Sequence, residues 1–159
     1  MISNVQLTTK EKFLLEDAKS HEEQCIRKYA SYSSLTSDEQ LRAVFQSNGS
    51  KEEEHLETIN QLLSGSIPSM NGQGQSSQSQ QTMKTQSNAS GNLNLSDKDM
   101  CTDMLNTEKY VSGTYNTAIF EFSNAQIRDV LNHIQKEEQK HGEAIFKYME
   151  SKGMYSANS

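Results

Sequence analysis

Apolar residues recur along this chain at alternating steps of three and four, the spacing of one face of an α-helix. Four stretches carry this pattern, and three of them begin with a helix-capping signature, at residues 8–11, 36–39 and 96–99. The fourth follows a tight turn at residues 123–124 and ends near Gly153. Because short turns join the first pair and the last pair, the pattern predicts an all-α four-helix bundle built from two helical hairpins.

The two predicted hairpins are separated by a change in composition. Residues 64–95 are rich in Ser, Gln, Asn and Gly, contain the only proline, and lose all periodicity. We interpret them as a flexible linker between hairpin one (8–63) and hairpin two (96–153), with a short tail (154–159), all within one domain spanning 1–159. About 30 residues can extend to roughly 100 Å, whereas a 27-residue helix is about 40 Å long, so the linker can cross the bundle.

One local interruption is predicted inside the second helix. Residues 47–50 read Ser-Asn-Gly-Ser, which are poor helix formers, and glycine alone costs about 1 kcal/mol relative to alanine. We therefore expect a kink, a bulge or a short break at this point.

Ionisable residues lie within the apolar stripes, where an unpaired carboxylate is unfavourable unless it binds a metal. Each hairpin has a lone Glu on its first helix and a Glu-x-x-His on its second, and residues three apart share a helix face. A shift of 86 residues superimposes the two sets without a gap, which indicates an internal repeat of one hairpin. The residues concerned are Glu22, Glu52, His55, Glu108, Glu138 and His141.

This set of side chains predicts a dinuclear metal site. Two divalent cations would neutralise the four carboxylates, and a Glu from two helices with Glu-x-x-His from the other two is the ligand set of di-iron and di-manganese bundles. Oxygen and imidazole ligands favour iron or manganese, and zinc stays an alternative. Tyr29 and Tyr115 lie two turns beyond Glu22 and Glu108 and are expected to bond a ligand or line the site. Without metal, the four clustered carboxylates are expected to have raised pKa values.

Simpler interpretations apply to single residues. Any one of these Glu or His residues alone would more often be solvated or locally paired, and the two tyrosines would be core residues with a satisfied hydroxyl. Cys25 is expected to be a small buried apolar residue, and Cys101 is unremarkable. His21 and His133 fall off the stripes and are expected at the surface.

Composition narrows the classes of function. The net charge of −6 argues against nucleic acid as a partner, and no apolar run approaches a membrane span. Two cysteines form no disulfide framework. The first residues lack the features of a secretory signal, so synthesis in the cytoplasm is expected.

Two resemblances follow from these residues. The six-residue pattern, with a tyrosine seven residues after the first ligand, resembles the ferritin-like superfamily, including rubrerythrins and ferritins, but the chain lacks a Cys-x-x-Cys rubredoxin module. The segments DMLNTEKY (103–110), YNTAIFE (115–121), EEQKH (137–141) and KGMY (152–155) are similar to the Coat F family of spore coat proteins. That resemblance implies a place in the spore coat, with other coat proteins or further copies of the chain as partners.

Three hypotheses about function remain open at this point. The first is a coat protein that binds two metal ions, with oxidase, peroxidase or catalase-like chemistry. The second is a purely structural coat component with an empty or vestigial site. The third, iron storage in a ferritin-type shell, is disfavoured because a long crossover and a missing fifth helix do not suit a cage.

Overall fold

The computed structural model of the protein describes residues 4–69 and 95–155, and these residues form four α-helices and no strand. The helices are α1 (Thr9–Leu35), α2 (Glu39–Leu63), α3 (Asp97–Glu121) and α4 (Ala125–Ser151). The predicted all-α four-helix bundle is confirmed. Most of the predicted linker, residues 70–94, and the last four residues of the predicted tail lie outside the described residues.

Each helix begins at a side chain that caps its free backbone N–H groups. Thr8 and Ser96 form capping boxes with Glu11 and Asp99, as their sequence signatures predict. The carboxylate of Asp38 and the side-chain oxygen of Asn124 accept hydrogen bonds from the first turns of α2 and α4. Local capping interactions therefore determine the residue at which each of the four helices begins.

The two hairpins pack so that neighbouring helices are antiparallel. Within each hairpin, α1 lies along α2 and α3 lies along α4. Between hairpins, α1 faces α3, and ion pairs near both ends of this seam, Lys10 with Glu121 and Lys28 with Asp103, fix opposite chain directions. The remaining seam places α2 beside α4.

The end of the first hairpin and the start of the second lie at opposite ends of the bundle. Gly65, just after α2, accepts a hydrogen bond from the backbone of Val5, which precedes α1. The start of α3 lies at the other end, where Thr36 donates to Asp97 over 2.8 Å. The predicted crossover between these two ends lies mostly outside the described residues and stays a prediction.

The apolar core consists of two clusters. Cluster 1 lies towards the start of α1 and the end of α2, and it includes Leu15, Ala18, Ile59, Leu62, Val111, Phe122, Ile127, Leu131 and Ile134. Cluster 2 lies towards the end of α1 and the start of α2, and it includes Leu41, Phe45, Met100, Met104, Ile145 and Met149. Buried polar residues fill the space between them.

The predicted interruption of α2 at residues 47–50 is wrong, because the helix is continuous from Glu39 to Leu63. Gly49 is instead a point of close approach between α2 and α1. A Cβ at this position would lie 3.1 Å from the Cβ of Tyr29. The glycine lowers helix propensity, and packing of α1 against α2 outweighs that loss.

Substitutions at two helical glycines test this role of Gly49. Gly49→Leu should lower the free energy of unfolding by about 1–3 kcal/mol, because the new side chain overpacks against Tyr29. Gly113→Ala should raise it by about 0.5–1 kcal/mol, because that helical glycine has open space around it. Urea denaturation of metal-free protein measures both, and equal effects at the two positions would contradict the packing role.

Candidate metal centre

The six predicted residues meet in the middle of the bundle, between cluster 1 and cluster 2. One comes from α1, two from α2, one from α3 and two from α4. All six are 5% exposed or less, and four of them are glutamates. The helix periodicity that places apolar residues inside therefore also places these carboxylates and imidazoles inside.

The six side chains form two overlapping groups of four. One group is Glu22, Glu52, His55 and Glu138, and the other is Glu52, Glu108, Glu138 and His141. Within each group, one ligand atom from each residue lies within 4.8 Å of all the others. Glu52 and Glu138 belong to both groups, so the two groups that could hold a metal ion overlap at two carboxylates.

Both histidines turn Nδ1 towards the shared carboxylates. The Nδ1 atom of His55 lies 3.2 Å from an oxygen of Glu52 and 3.2 Å from an oxygen of Glu138. The Nδ1 atom of His141 lies 2.9 Å from Glu52 and 3.4 Å from Glu108. The two rings are stacked with their centroids 5.9 Å apart.

The two tyrosines connect the hairpins. Tyr29 on α1 donates a hydrogen bond to Glu108 on α3, and Tyr115 on α3 donates one to Glu22 on α1, each over 2.5 Å. Each tyrosine thus bonds one of the six predicted residues, and each bond reaches the opposite hairpin. A buried carboxylate that accepts such a bond is held in a single orientation.

Several oxygens of the site have no hydrogen-bond partner within the described part of the chain. They are one oxygen of Glu22, one of Glu108 and both of Glu138. A buried carboxylate oxygen without a partner is strongly unfavourable, and native proteins avoid it unless a water or an ion binds there. These atoms are therefore the ones that a cation could neutralise.

The carboxylates differ in their pKa values. Burial and the neighbouring Glu52 raise the pKa of Glu22, and burial and Glu108 raise that of Glu138. Burial would also raise the pKa of Glu52, but its neighbours Glu22, His141 and His55 hold it below its ordinary value. The expectation that all four values are raised is wrong for Glu52, because it lies between both imidazoles.

The histidines are shifted towards the protonated form. Burial would lower the pKa of His141, but Glu108 and Glu52 outweigh it and raise the value to about 9. Glu137 and Glu52 raise the pKa of His55 in the same way against its burial. Without a metal ion, imidazolium groups thus provide part of the positive charge that the carboxylates require.

Two polar residues beside the site were missed at the sequence level. Glu137 accepts from Nε2 of His55 at 3.2 Å, and Asn48 donates to the hydroxyl of Tyr29 at 3.2 Å. Glu137 stands in a charged run, Lys136-Glu137-Glu138, and Asn48 in a stretch read as a helix break. Of the two, only Asn48 could have been identified from the sequence, because helix periodicity places it on the inner stripe of α2.

The remaining single-residue predictions have mixed outcomes. Cys25 is buried, as expected for a small apolar residue, and Cys101 is buried as well. His133 is exposed, as expected, although it pairs with Glu137. His21 is wrongly predicted as a surface residue, because it is half-buried with its ring edge against Tyr110.

The fold and the site define an all-α bundle with a buried carboxylate–histidine centre that could hold metal ions. The family model of the Coat F domain matches residues 96–158, which include α3 and α4. The second hairpin therefore matches the Coat F domain, as the resemblance to this family predicts. No curated protein matches the chain, and no solved structure does. No helix among the described residues is long and apolar enough to cross a membrane.

The pKa shifts predict a loss of stability of the metal-free protein at alkaline pH. The folded form keeps the proton of His141 up to about pH 9, whereas the unfolded form loses it near 6.5, so this contribution disappears between those values. The raised values of Glu22 and Glu138 act in the same direction. The free energy of unfolding should fall by roughly 2–3 kcal/mol from pH 6.5 to 9 in urea titrations with chelator.

Variants separate this effect from general alkaline destabilisation. His141→Gln should reduce the fall, whereas His133→Gln, at an exposed position, should leave it unchanged. Equal unfolding free energies at pH 6.5 and 9 in the unmodified protein would contradict the assignment.

Proposed function

We propose that this protein is a spore coat component whose bundle binds two divalent metal ions, iron or manganese, through the six centre residues. The observation that supports this most strongly is the pair of four-residue groups sharing Glu52 and Glu138, with unpartnered oxygens inside. Glu22 and His55 would complete one ion position, and Glu108 and His141 the other. Both hairpins contribute to each position, so residues 1–159 are proposed to act as one domain.

Charge and donor type support this choice of metal. Four carboxylates in a space from which water is excluded need about four positive charges, which two divalent ions supply. The donor set has more oxygens than nitrogens and contains no thiolate, because Cys25 is not among the ligand groups. Such a set suits manganese and iron better than zinc, although affinity alone does not reject zinc.

Oxidase, peroxidase or catalase-like activity is the proposed chemistry of the loaded centre. A pair of iron or manganese ions would supply the redox change. The chain itself would exclude bulk water through the two apolar clusters, and it would hold two phenolic protons against the site at Tyr29 and Tyr115. These hydroxyl groups would keep Glu108 and Glu22 in fixed orientations during any change at the metals.

A structural coat protein without metal is the second candidate, and one observation favours it. The Nδ1 atoms of His55 and His141 already lie within 3.2 Å of Glu52, and both imidazoles have raised pKa values. Two imidazolium groups with partly protonated glutamates would leave the centre near neutrality. A vestigial site could persist in this form and contribute only to packing.

Metal content distinguishes these candidates, and so does the direction in which Glu138→Ala changes the melting temperature. Protein purified without chelator, or reconstituted, should contain about two iron or manganese ions per chain by elemental analysis. Glu138→Ala should lower the melting temperature of loaded protein, because it removes a shared ligand. The same change should raise or preserve the melting temperature of metal-free protein, because it removes a buried carboxylate that has no hydrogen-bond partner among the described residues.

Glu143→Ala serves as the control, since its side chain is exposed and, among residues 4–69 and 95–155, pairs only with Lys147. It should have little effect in either state. Two results together would contradict metal binding and leave the structural role. They are absence of metal after reconstitution, and a Glu138→Ala variant that is no less stable than the unmodified protein with or without added metal.

Activity is tested separately from binding. Manganese- or iron-loaded protein should consume hydrogen peroxide or oxygen, and Glu138→Ala should reduce the rate at least tenfold. Loss of peroxide is followed by absorbance and oxygen by an electrode, with free metal as the blank. A loaded centre with no turnover of either would show that the metals serve stability alone.

A further inference from the structure

The two histidines of the centre differ in the contacts of their Nε2 atoms, which face away from the shared carboxylates. Nε2 of His55 lies 3.2 Å from Oε1 of Glu137, a residue of the opposite hairpin. For His141, no carboxylate oxygen of the described residues lies within 4.0 Å of Nε2, since all its close contacts involve Nδ1. Only one of the two imidazoles therefore has a carboxylate behind it.

The sequence explains this difference. The shift of 86 residues that relates Glu52 to Glu138 relates Lys51 to Glu137. The position that supplies a carboxylate behind His55 therefore carries a cation in the other hairpin. Lys51 pairs with Glu137 itself at 3.6 Å and with the exposed Glu54 at 2.7 Å.

Glu137 is held firmly enough to orient an imidazole. Its side chain is 15% exposed and lies 2.9 Å from Nε2 of His133, in addition to its contacts with Lys51 and His55. A fixed carboxylate that accepts the Nε2 proton leaves the lone pair of Nδ1 directed at the centre. Such a partner also makes the imidazole a better electron donor to a metal.

We propose that Glu137 is a positioning residue that makes the two metal positions unequal, so that the position of Glu22 and His55 binds its divalent ion first and more tightly. This inference rests on the proposed function, because it concerns the order of binding at the same centre. Loss of such a carboxylate partner weakens metal affinity by about 10–100-fold in other proteins. The two positions should therefore differ by at least about tenfold.

Titration with Mn²⁺ tests this order, with unbound Mn²⁺ measured by its electron paramagnetic resonance signal. The unmodified full-length protein should bind one ion tightly and a second at least tenfold more weakly. His141→Gln should keep the tight phase, and His55→Gln should lose it. The reverse pattern, or two equal phases in the unmodified protein, would overturn the proposal.

Variants at position 137 test the residue itself. Glu137→Ala should weaken the tight phase about 10–100-fold and leave the weak phase nearly unchanged. Glu137→Gln keeps an oxygen acceptor and should recover part of the loss. Glu54→Ala removes the same charge from an exposed partner of Lys51 and should change neither phase. A tight phase that is unaffected in Glu137→Ala would overturn the role of Glu137.

A measurement on metal-free protein distinguishes this role from a contribution to folding. In ¹⁵N NMR spectra, the Nε2 proton of His55 should exchange slowly with water and shift in Glu137→Ala, whereas the His141 signals should not move. Unchanged His55 signals would overturn the proposal even if metal binds. If the unmodified protein binds no manganese, iron or zinc, the proposed function fails together with this inference.

Discussion

The burial of four carboxylates in a helical bundle is the constraint on which the structure depends. Glu22, Glu52, Glu108 and Glu138 have almost no exposure, and moving even one unpaired carboxylate out of water is unfavourable by several kcal/mol. Such a group remains buried only if protons, imidazolium groups or metal ions compensate its charge. The two histidines and two tyrosines provide part of that compensation, and the unpartnered oxygens mark where it is incomplete.

The rest of the bundle maintains this centre. Cluster 1 and cluster 2 close the interior on both sides and supply the apolar burial that offsets the polar core. The crossed hydrogen bonds of Tyr29 and Tyr115 join the hairpins through the centre itself. Gly49 allows α2 to approach α1 at Tyr29, so a residue of low helix propensity serves the geometry of the site. Fold and site are thus parts of one packing arrangement.

Much of this arrangement could be predicted from the sequence, because it depends on helix periodicity. Apolar steps of three and four identify four helices, and the same steps place Glu138 and His141 inside. Contacts between hairpins carry no such local signal. The bond from Glu137 to His55 depends on how α4 lies against α2, and the lowered pKa of Glu52 depends on its place between two imidazoles. The continuity of α2 at Gly49 likewise depends on its neighbour and not on propensity.

The match of the second hairpin to the Coat F domain supports the proposed place in the spore coat. Residues of both hairpins form each group of possible ligands, so that domain alone contains only half of the centre. Diffraction data from metal-loaded crystals, collected at the iron and manganese absorption edges, test the central claim most directly. Two anomalous peaks about 3.5–4 Å apart, both bonded to Glu52 and Glu138, are expected. Absence of any peak among the four glutamates in crystals grown with either metal would contradict it.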